Sequence, residues 1–494
     1  MIWICLVGFL VLVGLYDLLQ NKHAVLRNFP VIGHLRYWLE ALGPELRQYI
    51  VANNNEERPF SRDQRRWIYA SSKEMNNYFG FGSDNEMESA PSYLIVKQRA
   101  FPKEPLRPGD SDYDETCTVP CRKVLGKKRA RTKAFRPRSV INISGMSFGS
   151  LSGSAIEALN RGALIAGCLH NTGEGGVSSH HLKGGDLIWQ IGTGYFGCRE
   201  LDGRFDIQRL EETVHQNPQI KAIEIKLSQG AKPGVGGFLP GRKINREIAS
   251  IRGIPVGLDC ASPASHSEFS DADTLLDFVE LIATQTGLPV GIKSAVGESE
   301  FWATLARLIA TTDRAPDFVT IDGGEGGTGA GPLVFSDHVA LPFKVAFNRV
   351  HQIFSDAGIV EDIVFIGSGK LGFPESALLG FSLGCDLINV GREAMLAIGC
   401  IQAQRCHTNH CPAGITTQNR WLAAGLNPSL KSARLANYIF SLRKDLLALA
   451  HTCGVDHPTD VMPDQLEMLD DRFGALTVAE IFSSRRSSKQ NVAN

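Results

Sequence analysis

Three cysteines punctuate the run C-I-Q-A-Q-R-C-H-T-N-H-C, at Cys400, Cys406 and Cys411. Five and then four residues separate them, and His407 and His410 lie between the last two. Thiols and imidazoles at this density suit zinc, an iron–sulfur centre or a disulfide, and plain buried thiols would read the same way. The spacing matches no common zinc pattern well, and these residues alone leave the choice open. A second group is cationic. Lys226, Gln229 and Lys232 lie in K-L-S-Q-G-A-K-P-G-V-G-G-F-L-P-G (226–241), and Arg252 follows a short helical stretch later. One such cation would be a solvated surface charge, but several on a concave glycine loop suit a phosphate or a dicarboxylate. Gly367-Ser368-Gly369 and Gly391-Arg392 offer backbone N–H groups and a fixed cation, which is phosphate-binding chemistry. Lys293 would set positive charge beside a cofactor ring, and such a charge stabilises an anionic reduced flavin.

These residues share a structural context. From about residue 140, short apolar runs alternate with helical stretches. Strands are expected at 140–143, 166–169, 187–192, 222–227, 288–293, 318–321, 363–366 and 387–390, with a weaker ninth at 255–258. Helices are expected at 154–166, 272–286, 301–311 and 375–383. Strand, loop and helix repeated about eight times over ~250 residues describe a (β/α)8 TIM barrel. An open doubly wound sheet is the alternative, and it lacks a G-x-G-x-x-G after the first strand. Barrel enzymes carry their chemistry on loops after the strands. Seven such loops here are unusual, among them S-G-M-S-F-G-S-L-S (144–152), H-N-T-G-E-G-G (170–176) and D-G-G-E-G-G-T-G-A-G-P (322–332).

Four segments follow from this reading: 1–20, a hydrophobic membrane anchor; 21–135, an N-terminal extension; 136–425, the barrel with the cysteine loop; and 426–494, a C-terminal helical extension with a frayed Ser/Arg/Lys/Asn end. The first sixteen residues are apolar and lack a preceding basic residue, which disfavours a signal peptide. Lys22, Arg27, Arg36 and Arg47 follow, so the positive-inside rule expects a single N-terminal anchor in the cell membrane with the catalytic domain in the cytoplasm. The eleven cysteines then form no disulfide framework, and the Cys117/Cys121 pair is read as structural thiols. The basic run at 123–138 is read as a solvated face. A net charge of −1 supplies no field for nucleic acid, so none is expected as a partner.

The loops together resemble the FMN-binding synthase domain of glutamate synthases. M-S-F-G-x-L-S, N-T-G-E-G-G, Q-G-A-K-P-G-x-G-G-x-L-P-G, G-G-x-G-G-T-G and the cysteine triplet stand in the family's order across roughly residues 140–420. Stand-alone synthase-domain proteins with a hydrophobic N-terminus are most similar. The resemblance implies FMN and a 3Fe-4S cluster as cofactors, the cluster on Cys400, Cys406 and Cys411. It implies that Lys226, Gln229, Lys232 and Arg252 hold 2-oxoglutarate, with Glu174 beside them as a candidate for proton transfer and Lys226 and Lys232 taking part in catalysis. It puts Met146, Ser147, Asn171, Gln190 and Lys293 around the flavin ring, and Gly324, Gly327, Gly367, Gly369, Gly391 and Arg392 near its phosphate. The activity implied is reductive amination of 2-oxoglutarate to L-glutamate, part of glutamate biosynthesis. Ammonia would come from solution or a partner, and electrons from an external donor such as ferredoxin or a membrane carrier. Val235 and Phe238 replace a carboxylate and an amide of the family loop, which opens an alternative: a different amine or 2-oxo acid. A membrane-tethered electron-transfer subunit is a further alternative.

Overall fold

The structure, a computed structural model, describes every residue except 21–22, 54, 56, 76–79, 89, 112, 471, 473 and 484–494. Lys22 and the polar C-terminal stretch expected to fray lie outside the described residues. The chain forms two compact units, 1–67 and 68–494. The division falls at neither boundary expected for the N-terminal extension.

In the first unit, helices run over Ile2–Leu19, Ala24–Asn28 and Gly33–Leu46. Ile2–Leu19 is long and apolar enough to cross a membrane by length and composition. Its one acidic residue, Asp17, accepts from the Val31 N–H (2.8 Å) and from His34 Nε2 (2.9 Å), so its charge is met within the unit.

The second unit is built on a closed parallel barrel of eight strands. In chain order these are β1 (Ile141–Ile143), β2 (His170–Asn171), β3 (Leu187–Ile191), β4 (Ile220–Lys226), β5 (Val290–Ser294), β6 (Phe318–Asp322), β7 (Val364–Ser368) and β8 (Leu387–Val390). Each pairs with the next, and β8 closes on β1. The TIM barrel expected from the sequence is therefore present. Strands buried on both faces read as near-continuous apolar runs, which is why they were visible. Their outer faces are sealed by helices rich in buried aromatics. Phe347 and Phe354 of helix Phe343–Asp356 pack edge-on against Phe365 of β7, each such side chain worth about 1.5–3 kcal/mol when removed from water.

Three expectations shift. The apolar run at 166–169 is not a strand. Ala166 ends helix Gly153–Ala166, Gly167 caps it at φ +65°, and the strand begins only at His170. Residues 255–258 form a turn, and a two-residue pair, Phe238–Leu239 with Cys260–Ala261, lies nearby instead. The tail is not wholly helical. After helix Pro428–Thr452, strands Leu466–Leu469 and Ala475–Thr477 form an antiparallel sheet with Tyr93–Val96.

The basic run at 123–138 is not simply a solvated face. Lys123 donates to the Val360 and Ile363 carbonyls (3.1 and 3.0 Å) and lies 3.2 Å from Asp386. Arg131 forks onto Glu280 (2.6 and 2.8 Å) and reaches Asp317 (3.1 Å). These cations pair with acids far along the chain and tie residues 123–131 to the barrel.

Candidate active site

The C-terminal ends of the strands bring the cationic group together. Lys226 is the last residue of β4, and its Nζ lies 2.9 Å from Glu174 Oε2 and 3.3 Å from Gln229 Oε1. Gln229 Nε2 donates in turn to the Gly327 carbonyl (2.6 Å), so loops four and six are stitched through this side chain. Lys232 is buried, and its Nζ reaches the Gly236 carbonyl (3.4 Å). Arg252 is buried beneath the loops. It donates to the Phe148 carbonyl (3.2 Å) and its guanidinium lies 5.0 Å above the Phe196 ring. Two glycines are required by close approach. A Cβ on Gly230 would stand 1.9 Å from the Gly323 carbonyl oxygen, and one on Gly173, at φ +64°, 2.8 Å from the Ser147 nitrogen. Much of the glycine content thus lets the loops pack on one another.

Electrostatics fixes protonation here. Burial would raise the Glu174 carboxyl, but Lys226, Lys232 and Arg252 outweigh it and hold the group at about 2. Glu174 is therefore ionised near neutral pH, with no proton of its own to donate and only weak basicity while its cations hold it down. Burial lowers the Lys232 ammonium, which loosens its proton. A depressed carboxyl contributes stability that is present above its unfolded value and lost as pH falls through its folded one. Glu174→Gln should thus lower Tm at pH 7, and the gap to wild type should narrow from about pH 4.5 toward about pH 2. Thermal melts across that range would read it; a pH-independent gap would contradict the assignment.

Beneath the loops lies a second charged layer. Lys293 is buried on β5 with its Nζ 3.4 Å from Asp322. Burial would lower its ammonium, but Asp322 and Glu224 reverse the effect and raise it. Asp322 also accepts from the Gly230 N–H (3.0 Å) and the Ser368 hydroxyl (3.0 Å). Asn171 Oδ1 accepts from the Gly173 N–H (2.9 Å), while Asn171 Nδ2 (2.8 Å) and Gln190 Nε2 (2.6 Å) both donate to Glu224. The Met146 carbonyl accepts from His181 Nε2 (2.9 Å), an imidazole that burial lowers to about 4. Arg392 donates to the Glu325 carbonyl, and a Cβ on Gly327 would meet its side chain at 2.7 Å. Gly324 and Gly367 likewise face Ala340 and Cys385, and Gly369 faces Phe343. A Cβ on Gly391 would make only ordinary contacts, with the side chains of Ser144 and Met146 at 3.6 and 3.8 Å. The donor set fits a flavin: a buried cation at a strand end, carboxamides above the barrel floor, and an open glycine beside Met146.

The cysteine loop follows helix Arg392–Ala397. Burial works against the Cys411 thiolate, yet the backbone N–H groups of Thr416, Ile415 and Ala413 lower its pKa. Burial raises Cys406. Cys400 Sγ accepts from the Gln402 N–H (3.4 Å), and its carbonyl accepts from Tyr69 (2.7 Å). Sulfurs that accept several N–H bonds are suited to iron–sulfur ligation. Among the described residues, no three Cys, His, Asp or Glu side chains are gathered closely enough to hold a single metal ion. His407 and His410 are exposed, a poor placement for zinc ligands. All eleven cysteines are free, and burial pushes Cys121 up to about 12, as expected of an inert thiol.

Sequence reading missed several residues. Glu224 and Asp322 compensate Lys293. His266 donates from Nε2 to the Lys226 carbonyl (2.9 Å), with its Nδ1 on the Tyr195 hydroxyl (3.0 Å), so it fixes the end of β4. Lys243 donates to the Ser150 (3.1 Å) and Cys406 (2.8 Å) carbonyls, joining loop one to the cysteine loop.

Comparison with known proteins follows the same lines. The family model described as the conserved region in glutamate synthase matches residues 115–456. The glutamate synthase large subunit-like protein YerD of Bacillus subtilis is 38% identical over 469 residues, 89% of this chain and 88% of that protein. The archaeal glutamate synthase (NADPH) of Methanocaldococcus jannaschii is 35% identical over 340 residues, 68% of this chain and 63% of that one. The chain thus spans less than two thirds of that archaeal protein. A glutamate synthase large subunit-like protein of Rhizobium meliloti is 31% identical over 72% of this chain and 79% of its own. Among solved structures, the flavin-binding domain of baker's yeast flavocytochrome b2 overlaps at a TM-score of 0.45 and 13% identity, over 88% of this chain and 86% of that one, too loosely to inform on ligands.

Proposed function

The chain belongs to the glutamate synthase family, and from that premise we propose that it is an FMN- and iron–sulfur-dependent enzyme that aminates 2-oxoglutarate reductively to L-glutamate. It is an oxidoreductase of glutamate synthase type. The observation that carries the finer reading is the charge balance at the end of β4. Lys226, Lys232 and Arg252 act on a single carboxylate, Glu174, which leaves positive charge for a dicarboxylate acceptor.

Lys226 and Lys232 would orient the acceptor's carboxylates, and Arg252 would add its field from below. Ammonia, from solution or a partner, condenses at the ketone with loss of water. Glu174 takes up a proton during that addition, and Lys232, with its loosened ammonium, returns one. When bound, FMN supplies the hydride and a 3Fe-4S cluster carries single electrons to it from an external donor such as ferredoxin or a membrane carrier. Asn171, Gln190 and Lys293 would hold the flavin ring, Gly391 and Arg392 its phosphate, and Cys400, Cys406 and Cys411 the cluster. Helix Ile2–Leu19 would anchor the protein, with the exposed Arg27, Arg36 and Arg47 on the cytoplasmic side.

One observation favours a second acceptor. Val235 and Phe238, on the same loop as Lys232, are 37% and 45% exposed, which offers an apolar lip to a 2-oxo acid or amine with an apolar tail. Protein purified without oxygen should show flavin and iron, and the photoreduced enzyme should be reoxidised by 2-oxoglutarate plus ammonium with formation of L-glutamate. Reoxidation only by an apolar 2-oxo acid or another amine selects the second acceptor. Reoxidation by neither removes both.

A further inference from the structure

Glu224 sits within β4, fully buried, and both carboxylate oxygens are engaged. Oε1 accepts from Asn171 Nδ2 (2.8 Å) and Gln190 Nε2 (2.6 Å), and Oε2 accepts from the Thr320 hydroxyl (2.7 Å). The donors come from β2, β3 and β6. A carboxylate in a barrel interior costs several kcal/mol of desolvation, and an apolar side chain of similar volume would pack there at lower cost. Stability alone therefore gives no reason for it. Its geometry does two other things. A carboxamide has two ends of nearly equal shape, and only the NH2 end can face a carboxylate. Glu224 selects that end for both amides. The oxygen of Asn171 then accepts from the Gly173 N–H, whereas among the described residues no donor reaches Gln190 Oε1. In the β4–β5 pairing Glu224 stands opposite Gly291 and Lys293 opposite Lys226, two residues further along the same face, so the Glu224 charge adds to that of Asp322 opposite Lys293.

We propose that Glu224 is a positioning residue. It locks the Gln190 carboxamide so that its oxygen accepts from a ring N–H of the flavin, and it offsets Lys293 so that the flavin's reduction potential is held down. The inference rests on the FMN reading of the site. Removal of a negative charge near the ring leaves Lys293 freer to stabilise the anionic reduced form, which raises the potential.

Two substitutions in the full-length holoprotein separate the roles. In Glu224→Gln, the amide oxygen still accepts from Asn171 and Gln190 while its NH2 donates to Thr320. FMN affinity should stay within about threefold of wild type, but the midpoint potential should rise. In Glu224→Ala, both amides lose their acceptor, and FMN should bind at least about tenfold more weakly, as expected for buried charge-assisted bonds. Affinity is read by titrating apoprotein with FMN, and potential by dye-equilibrated reduction. An unchanged potential in Glu224→Gln overturns the proposal, as does Glu224→Ala that binds FMN within threefold of wild type. If Glu224→Ala does not fold, the Glu224→Gln potential decides. Wild-type protein that neither carries nor takes up flavin removes the FMN reading itself, a failure visible before any variant is made.

Discussion

Lys226→Ala should abolish turnover of the 2-oxo acid while leaving the flavin spectrum intact. Among the described residues the Lys226 ammonium is the one cation of the loop in direct contact with Glu174, at 2.9 Å, and its backbone is pinned by His266. His266 is lowered to about 4 by burial, so near neutral pH it is an uncharged donor and does not compete with Lys226 for an anion. The substitution would remove the charge-assisted bond proposed to the acceptor, and it strips Glu174 of its nearest counter-charge. Truncating one partner of a buried, hydrogen-bonded charge pair costs about 2–5 kcal/mol of binding, which corresponds to roughly thirtyfold or more in kcat/KM. Most of the loss should appear in KM if Lys226 only binds, and in kcat if it also orients the ketone. Lys226→Arg should recover part of the binding, because the charge returns with the wrong reach. With Lys226 gone, Glu174 should also titrate at higher pH, so the acid limb of the rate profile should move upward. Rapid mixing of reduced enzyme with 2-oxoglutarate and ammonium measures each of these. If Lys226→Ala and Lys232→Ala both reoxidise at the wild-type rate, the protein has no acceptor at this site, and a tethered electron-transfer role takes its place.

The order of the strands was legible because parallel barrel strands are buried on both faces and repeat at regular intervals. The run at 166–169 misled because the end of a buried helix and a buried strand have the same apolar letters, and only the positive φ of Gly167 separates them. The loop glycines announced close approach, but not what approaches. Gly230 faces the Gly323 carbonyl, not open space. The cationic group could be found because Lys226, Gln229 and Lys232 are near one another in the chain. Glu224 could not. Its partners Asn171, Gln190 and Thr320 lie 53, 34 and 96 residues away, and a lone glutamate in an apolar strand carries no local mark of a shared acceptor. The basic run failed for the same reason, since Asp317 and Asp386 are distant in sequence.

Cys411→Ala should eliminate iron from the purified protein and leave FMN in place. Cys411 is the sulfur best prepared for a metal cluster. It is buried, yet the backbone N–H groups of Ala413, Ile415 and Thr416 favour its thiolate. These donors follow it directly in C-P-A-G-I-T, so the loop folds around this sulfur. Such hydrogen bonds disperse charge from sulfur and help set a cluster's potential. With Cys411 absent, only Cys400 and Cys406 would be left to hold a cluster, and the electron path to the flavin would break. Chemically photoreduced Cys411→Ala should therefore still react with 2-oxoglutarate and ammonium, while turnover supported by an external one-electron donor should fall to background. Cys117→Ala supplies the control. That thiol is raised by burial, lies outside the loop and should change neither iron content nor electron entry. Iron and sulfide analysis, with electron paramagnetic resonance of the oxidised protein, reads the outcome. Full iron content in Cys411→Ala would place the cluster elsewhere, and wild-type protein with zinc and no iron would make the triplet a zinc site that rearranges to bring its sulfurs together.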